Sequence, residues 1–165
     1  MFCPLCYILV INYYLLIINC LKIKQNPLDL HINVWYTKTN NIHLTLEFLG
    51  EVDKDKVNKL IDIINSIDIS KLDYLEIDKT KMLKSIITLN VVKSDSLLEV
   101  QKDLHLKLKE SGFILQERPY APHITLVREA SKSLEENIKV VSSVSKITLF
   151  ESVRINNSLV YKELN

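Results

Sequence analysis

From residue 31 onward, the pattern of apolar and polar residues predicts short strands and two helices. The strand segments either alternate between apolar and polar residues or are rich in β-branched residues, whereas the helical segments repeat their apolar residues every three or four positions. The predicted strands are His31 to Thr37, Ile42 to Leu49, Leu72 to Ile77, Ser85 to Val92, the residues after Pro122, Lys146 to Phe150 and Ser158 to Tyr161. Strand, helix and strand follow one another twice, which favours an α+β fold with two similar lobes.

The two helices are predicted from their starts and from the spacing of their apolar residues. Asp53 is a suitable cap for the first helix, and Ser94 or Asp95 is a suitable cap for the second, which should end at Gly112. The positions expected to face the core are Val57, Leu60, Ile61, Ile64 and Ile67 in the first helix and Leu97, Leu98, Leu104 and Leu108 in the second.

The first 24 residues are far more apolar than the rest of the chain. Leu5 to Leu21 is interrupted by only two asparagines and is about as long as the shortest transmembrane helices. We favour a buried strand at Cys6 to Ile11 followed by an apolar helix from about Tyr13 to Lys24, because asparagine is costly in lipid. A membrane segment is the alternative. The stretch lacks the basic start and the cleavage site of a signal peptide, so secretion is not expected.

The bulk composition fits one domain spanning residues 1–165. The 47% of hydrophobic residues can fill a core, and the net charge of +1 excludes a surface built for bulk DNA binding. Cys3 and Cys6 have C-x-x-C spacing, but no second pair exists to complete a zinc site. Three cysteines and no export signal fit a reducing compartment, so we expect a cytoplasmic protein. We also expect it to be a monomer.

One short motif occurs once in each half of the chain. His-Leu-Thr-Leu begins at His43, and His-Ile-Thr-Leu begins at His123. In a strand, residues two apart share a face, so each histidine points the same way as the threonine two residues later, Thr45 or Thr125. Two such faces across one cleft would bring two imidazoles and two hydroxyls together, which suits a phosphoester.

Two histidines can divide the cleavage of a phosphodiester between them. One imidazole takes the proton of the nucleophile, and the other gives a proton to the leaving oxygen. The hydroxyls of Thr45 and Thr125 would donate hydrogen bonds to the non-bridging oxygens, where negative charge grows. This division needs no metal, and the chain lacks the clustered Asp and Glu of a two-metal phosphodiesterase.

These motifs resemble those of the two-histidine phosphoesterase superfamily, in particular the RNA 2′,3′-cyclic phosphodiesterases once called 2′-5′ RNA ligases. The first signature is similar to Trp35 followed by Asn41 to Val52, and the second to Arg118 to Arg128. The closing hairpin of the family is similar to Ile147 to Ser152 followed by Tyr161. The resemblance extends from about residue 34 to the C-terminus.

The resemblance implies a bilobal, pseudo-symmetric fold in which two antiparallel sheets line a central cleft and the helices lie outside. It also implies hydrolysis of a terminal 2′,3′-cyclic phosphate on RNA to a 2′-phosphate, without a cofactor. By position, His43 would be the proton donor, His123 the proton acceptor, and Thr45 and Thr125 the phosphate-binding residues. Joining of tRNA halves through a 2′-5′ linkage is a further activity of the family.

We also make predictions for four other residues. Arg128 is a candidate phosphate contact, and Tyr120 is a candidate for stacking on a base. Glu47 shares the face of His43 by alternation, so its carboxylate would repel RNA unless it lies beyond the cleft or pairs with a lysine. His105, in the second helix, is expected to be solvated.

Two alternative functions remain open from the residues alone. One is a two-histidine phosphoesterase that acts on another cyclic nucleotide phosphate. The other is a non-catalytic RNA- or nucleotide-binding module that is tethered to a membrane by residues 5–21.

Overall fold

All strand pairings in the described part of the chain are antiparallel. A computed structural model describes residues 6–11, 35–38, 41–130, 135–156 and 158–165. The strands are β1 (Cys6–Ile11), β2 (Trp35–Tyr36), β3 (Leu44–Glu51), β4 (Tyr74–Leu83), β5 (Ile86–Val91), β6 (His123–Arg128), β7 (Asn137–Ser143), β8 (Ile147–Ile155) and β9 (Ser158–Glu163). The helices are α1 (Val57–Asn65) and α2 (Asp95–Glu110), so the predicted α+β class is confirmed.

The two motif strands lie side by side in the middle of the sheet. The strand order is β7-β4-β5-β6-β3-β1-β8-β9, and β2 pairs with the outer part of β6. Among the described residues, β3 and β6 pair only at Leu44 and Ile124. Two four-stranded halves, each with its motif strand innermost, therefore meet at one point. We expected two separate sheets, whereas this single pair joins the halves into one hydrogen-bonded path.

The helices bury one stripe of apolar residues each. In α1 the buried residues are Leu60, Ile63 and Ile64, and in α2 they are Leu97, Val100, Leu104 and Leu108. The prediction that Leu98 faces the core is wrong, since this side chain is 36% exposed and Val100 is buried instead. The reason is geometric: one residue turns a helix by about 100°, so Leu98 leaves the stripe that Leu97 begins, while Val100 returns to it.

One of the two helices begins with a cap that was predicted, and the other does not. The Ser94 hydroxyl accepts a hydrogen bond from the backbone N–H of Leu97 at 3.3 Å, so Ser94 rather than Asp95 caps α2. Asp53 does not cap α1 as predicted. A 3-10 turn (Lys54–Lys56) intervenes, and the Asp53 carboxylate pairs instead with the Lys56 ammonium at 2.8 Å.

The apolar N-terminal stretch contributes at least one strand to the core sheet. Cys6–Ile11 forms β1 between β3 and β8, as predicted. The predicted helix from about Tyr13 to Lys24 lies outside the described residues, as does most of the predicted strand from His31. No helix that the structure describes is long and apolar enough to cross a membrane.

β7 was not predicted, and β8 and β9 are longer than predicted. β7 pairs only with β4 along its described length and lies at an edge of the sheet. Edge strands need fewer apolar residues, and Val141 in β7 is exposed. The alternation that marks a half-buried strand is therefore weak there.

Candidate active site

The antiparallel pairing of β3 with β6 brings the two motifs together. Leu44 lies opposite Ile124, and both side chains are fully buried beneath the site. Because the two strands are antiparallel, the neighbours of this pair are also opposite each other. His43 lies beside Thr125, and Thr45 lies beside His123. Each histidine is thus next to the threonine of the other motif, around a local twofold arrangement.

One cleft is lined by all four motif side chains. This main cleft has a volume of about 630 Å³. Its other walls are formed by the ends of β2 and β6, the start of β5, the residues before β3 and the β8–β9 hairpin. The described lining residues are Thr37, Lys38, Asn41, His43, Thr45, Phe48, Ile86, His123, Thr125, Arg128, Glu129, Leu159 and Tyr161. The volume lies within the usual range for small-ligand sites.

Both imidazoles are oriented by a backbone carbonyl two residues earlier. His43 Nδ1 lies 2.8 Å from the carbonyl oxygen of Asn41, and His123 Nδ1 lies 2.8 Å from that of Ala121. A carbonyl oxygen can only accept a hydrogen bond, so each Nδ1 carries the hydrogen. In both rings Nε2 is therefore the nitrogen left to exchange a proton with a ligand.

Aromatic rings from the closing hairpin pack against His43. Its ring makes an edge contact with Tyr161, with centroids 4.8 Å apart, and a longer one with Phe150 at 6.3 Å. The side-chain amide of Asn41 also donates to the carbonyl oxygen of Leu159 in β9, at 3.0 Å. The hairpin thus positions the first histidine. The sequence signal for this hairpin is the similarity of Ile147 to Ser152, followed by Tyr161, to the closing hairpin of the family. The contact between Tyr161 and His43 was not predicted.

The chain is similar in sequence to several known proteins. No family model matches the chain. The RNA 2′,3′-cyclic phosphodiesterase of Methanocaldococcus jannaschii is 28% identical over 140 residues, covering 74% of this chain and 77% of that protein. The protein of the same name from Thermotoga maritima is 27% identical over 146 residues, covering 78% and 76%. The chain is a distant homologue of the RNA 2′,3′-cyclic phosphodiesterases.

The fold agrees with this homology. The structure of Escherichia coli LigT complexed with 3′-AMP matches with a TM-score of 0.76, covering 98% of this chain and 96% of that one, at 24% identity. This likeness shows a shared fold. The chain therefore has a LigT-like α+β fold.

In the main cleft the two histidines have different surroundings. Burial lowers the pKa of His43 below its ordinary 6.5, and the hydrogen bond to Asn41 opposes this only in part. The nearby charges of Arg128 and His123 lower this pKa further. Burial raises the pKa of Tyr161, whose phenol therefore stays protonated in the cleft at neutral pH.

Arg128 lies where the sequence placed it, at the end of β6 and on the wall of the main cleft. It is exposed, and it is near enough to His43 to affect the titration of that ring. The structure thus brings His43, His123, Thr45 and Thr125 together with one guanidinium. The roles of these residues stay predictions.

Tyr120 lies away from the main cleft and packs against the core. Its hydroxyl donates to the carbonyl oxygen of Thr45 at 3.2 Å, which ties the segment before β6 to β3. Burial, with the nearby Glu47 carboxylate, raises its pKa far above the ordinary value of 10.0, so it stays a hydrogen-bond donor. Stacking of Tyr120 on a base remains a prediction.

Glu47 is paired rather than facing the main cleft. Its side chain accepts a hydrogen bond from His105 Nδ1 of α2 at 2.8 Å and one from the backbone N–H of Phe48 at 3.2 Å. The partner is thus a histidine, whereas the sequence left open a lysine partner or a position beyond the cleft, and His105 is not simply solvated. Fifty-eight residues separate the two, so no local pattern could have revealed this pair.

The described residues contain no group of three or more His, Cys, Asp or Glu side chains that could hold a metal ion.

Proposed function

We propose that this protein hydrolyses the terminal 2′,3′-cyclic phosphate of RNA to a 2′-phosphate, with the two histidines as acid and base. The observation that carries the proposal is the meeting of the two motifs at the Leu44–Ile124 pair, in one cleft, with both Nδ1 atoms held by carbonyls. The distant homology to RNA 2′,3′-cyclic phosphodiesterases supports the choice of substrate.

The proposed reaction is a single displacement at phosphorus. His123 Nε2 takes a proton from water as the water oxygen attacks, and the bond from phosphorus to the 3′ oxygen breaks. His43 gives its proton to that 3′ oxygen, which leaves a 2′-phosphate and a free 3′-hydroxyl. The hydroxyls of Thr45 and Thr125 donate to the non-bridging oxygens as their charge grows. The two imidazoles perform both proton transfers, so the proposal includes no metal or other cofactor.

The acid role of His43 requires the substrate itself. Burial and neighbouring positive charge disfavour the imidazolium form of His43. A bound phosphate monoanion reverses this, because an adjacent negative charge favours the protonated ring. Arg128 helps to attract that anion, although its own positive charge disfavours the protonated form of His43. Substrate binding and the activation of the acid are therefore coupled.

The test uses an oligoribonucleotide that ends in a 2′,3′-cyclic phosphate, incubated with the protein in EDTA and analysed by chromatography or phosphorus NMR. We expect a 2′-phosphate as the only product. His43→Ala and His123→Ala should each lower kcat by at least about 100-fold, in line with the usual contribution of a general acid or base.

Matched controls separate loss of chemistry from loss of fold. Lys71→Ala removes an exposed charge that does not line the main cleft and should retain both fold and turnover. Equal turnover by the His43 and His123 variants, or a 3′-phosphate product, would refute the mechanism. Turnover of free cyclic nucleotides but not of RNA would show that the substrate is another phosphoester. Binding of RNA without turnover would favour a binding module.

A further inference from the structure

The two carbonyl groups that orient the histidines are held in place in different ways. Before His43, the carbonyl belongs to Asn41, whose own side-chain amide donates to the carbonyl oxygen of Leu159 at 3.0 Å. Before His123, the carbonyl belongs to Ala121, whose side chain is a methyl group and cannot form a hydrogen bond. The position of the second carbonyl therefore depends on the residues on either side of Ala121.

The stretch before β6 is attached to the rest of the domain on both sides of Ala121. Residues 113–122 form neither a helix nor a strand, and residues 116–119 are exposed, as is Ala121 itself. After Ala121, the carbonyl oxygen of Pro122 accepts a hydrogen bond from the backbone N–H of Val91 in β5 at 3.3 Å. Before it, the partly buried ring of Tyr120 packs against the core. Tyr120 is therefore the buried attachment of the exposed stretch that leads to His123.

The hydroxyl of Tyr120 also joins the two motif strands. It donates to the backbone carbonyl oxygen of Thr45 at 3.2 Å. In a continuous antiparallel ladder, backbone N–H and C=O groups of the two strands would hold such neighbours together. In the part of the chain that the structure describes, β3 and β6 pair only at Leu44 and Ile124. A side-chain hydrogen bond thus joins the strands on the side of this pair where Thr45 and His123 lie.

We propose that Tyr120 is a positioning residue for the reaction, and that its hydroxyl keeps Thr45 and His123 at the separation that the phosphate requires. This inference rests on the proposed function. The phenol holds the backbone of Thr45 directly. It holds the ring of His123 through the next residue, Ala121, whose carbonyl accepts the Nδ1 hydrogen. Tyr120 does not line the main cleft, so it acts through these residues without touching the phosphate.

The chemistry of the phenol suits this task. Burial and the nearby Glu47 carboxylate raise the pKa of Tyr120, so its hydroxyl remains a donor at neutral and moderately alkaline pH. A tyrosine ring packed in a core has few conformations, and its hydroxyl is therefore placed with little loss of entropy. Catalysis is sensitive to this placement, since a shift of about 1 Å in a reacting group can lower a rate by about 100-fold.

The kinetic experiment removes the hydroxyl and keeps the ring. Tyr120→Phe should lower kcat for the cyclic phosphate about tenfold and change KM less than about twofold, because the water-activating and charge-stabilising groups are misplaced. The matched control is Tyr74→Phe, which removes the same hydroxyl from a side chain that is 57% exposed and lies outside the main cleft. This control should keep the wild-type kcat. Urea unfolding checks that both variants are folded in the assay.

The second measurement is nitrogen NMR of the histidine rings in the free protein, at a pH of about 9, where imidazoles are ordinarily neutral. The signals of His43 and His123 are assigned with the two alanine variants. In wild type each ring should show one tautomer, with the hydrogen on Nδ1. In Tyr120→Phe the His123 signals should move towards the average of the two tautomers. Those of His43 should stay unchanged, because Asn41 and Leu159 hold its carbonyl independently.

Each outcome has a distinct meaning. Wild-type kcat or wild-type His123 signals in Tyr120→Phe would overturn the inference, and a role in stacking on a base would give both results because phenylalanine keeps the ring. Equal movement of the signals of both histidines would show a general loosening of the fold and would also overturn it. Absence of hydrolysis by folded wild type would refute the proposed function. The ring signals alone would then decide whether Tyr120 orients His123.

Discussion

The pair between Glu47 and His105 should be a measurable source of stability. The Glu47 residue is 8% exposed, and its carboxylate receives hydrogen bonds from His105 at 2.8 Å and from the Phe48 backbone at 3.2 Å. His105→Ala removes the only imidazole that the described structure places on this carboxylate. The change should destabilise the fold because it leaves a nearly buried negative charge under-solvated.

The size of the effect follows from the exposure of the two side chains. Breaking a fully buried ion pair costs about 3–5 kcal/mol. The His105 and Glu47 side chains are 22% and 10% exposed, so water recovers part of that cost. We therefore expect His105→Ala to lower the free energy of unfolding by about 1–3 kcal/mol, the range for a buried polar group that loses its partner.

Urea unfolding of a double-mutant cycle measures the pair directly. The cycle contains wild type, His105→Ala, Glu47→Gln and the double variant, and its coupling energy cancels the gain in helix propensity from alanine. We expect a coupling energy of about 1–2 kcal/mol. The matched control is the exposed pair Lys71–Glu99, 3.9 Å apart, whose coupling should stay below about 0.5 kcal/mol. Equal coupling in the two cycles would refute the reasoning.

Three further predictions concern the first histidine and the core. Because burial and the charges of Arg128 and His123 lower the pKa of His43 in the free protein, its acid form is lost as pH rises through that lowered value. The alkaline fall of kcat/KM should therefore lie at lower pH than that of kcat, where bound phosphate raises the pKa; coincident limbs would contradict this. Tyr161→Leu should lower kcat about tenfold with a smaller change in KM, whereas Tyr161→Phe, which keeps the ring against His43, should retain activity. Leu104→Ala should cost about 2–5 kcal/mol in urea unfolding because Leu104 is fully buried, whereas Leu106→Ala, on the exposed face of α2, should cost under about 0.5 kcal/mol.

Most of the elements could be predicted because their signals are local. The motif strands and both helices follow from periodicity over a few residues, whereas β1 was favoured because the asparagines of the apolar stretch would be costly in lipid. The errors arose where local patterns were ambiguous. Leu98 and Val100 are equally apolar, and only the direction in which α2 faces the sheet selects Val100. Asp53 is a good cap by type, but a 3-10 turn came between it and α1.

The candidate site could also be predicted only in part. Both motifs, and Arg128 just after the second, could be identified from the sequence because the repeated spacing of histidine and threonine is a local pattern. The contacts of Glu47 with His105 and of His43 with Tyr161 were not identified. Each joins residues that are far apart in the chain, and neither member of either pair marks its partner by spacing.

The order of residues along the chain specifies which groups are available and how each motif presents them. Alternation along a strand aligns each histidine with its threonine, and the carbonyl two residues before each histidine fixes its tautomer within the same segment. The presence of both motifs in one cleft is a consequence of the tertiary fold. It depends on the pairing of Leu44 with Ile124, 80 positions apart in the chain, and on the hairpin packed against His43. Local periodicity sets the direction of a side chain, whereas the choice of neighbour depends on how the whole chain buries its apolar surface.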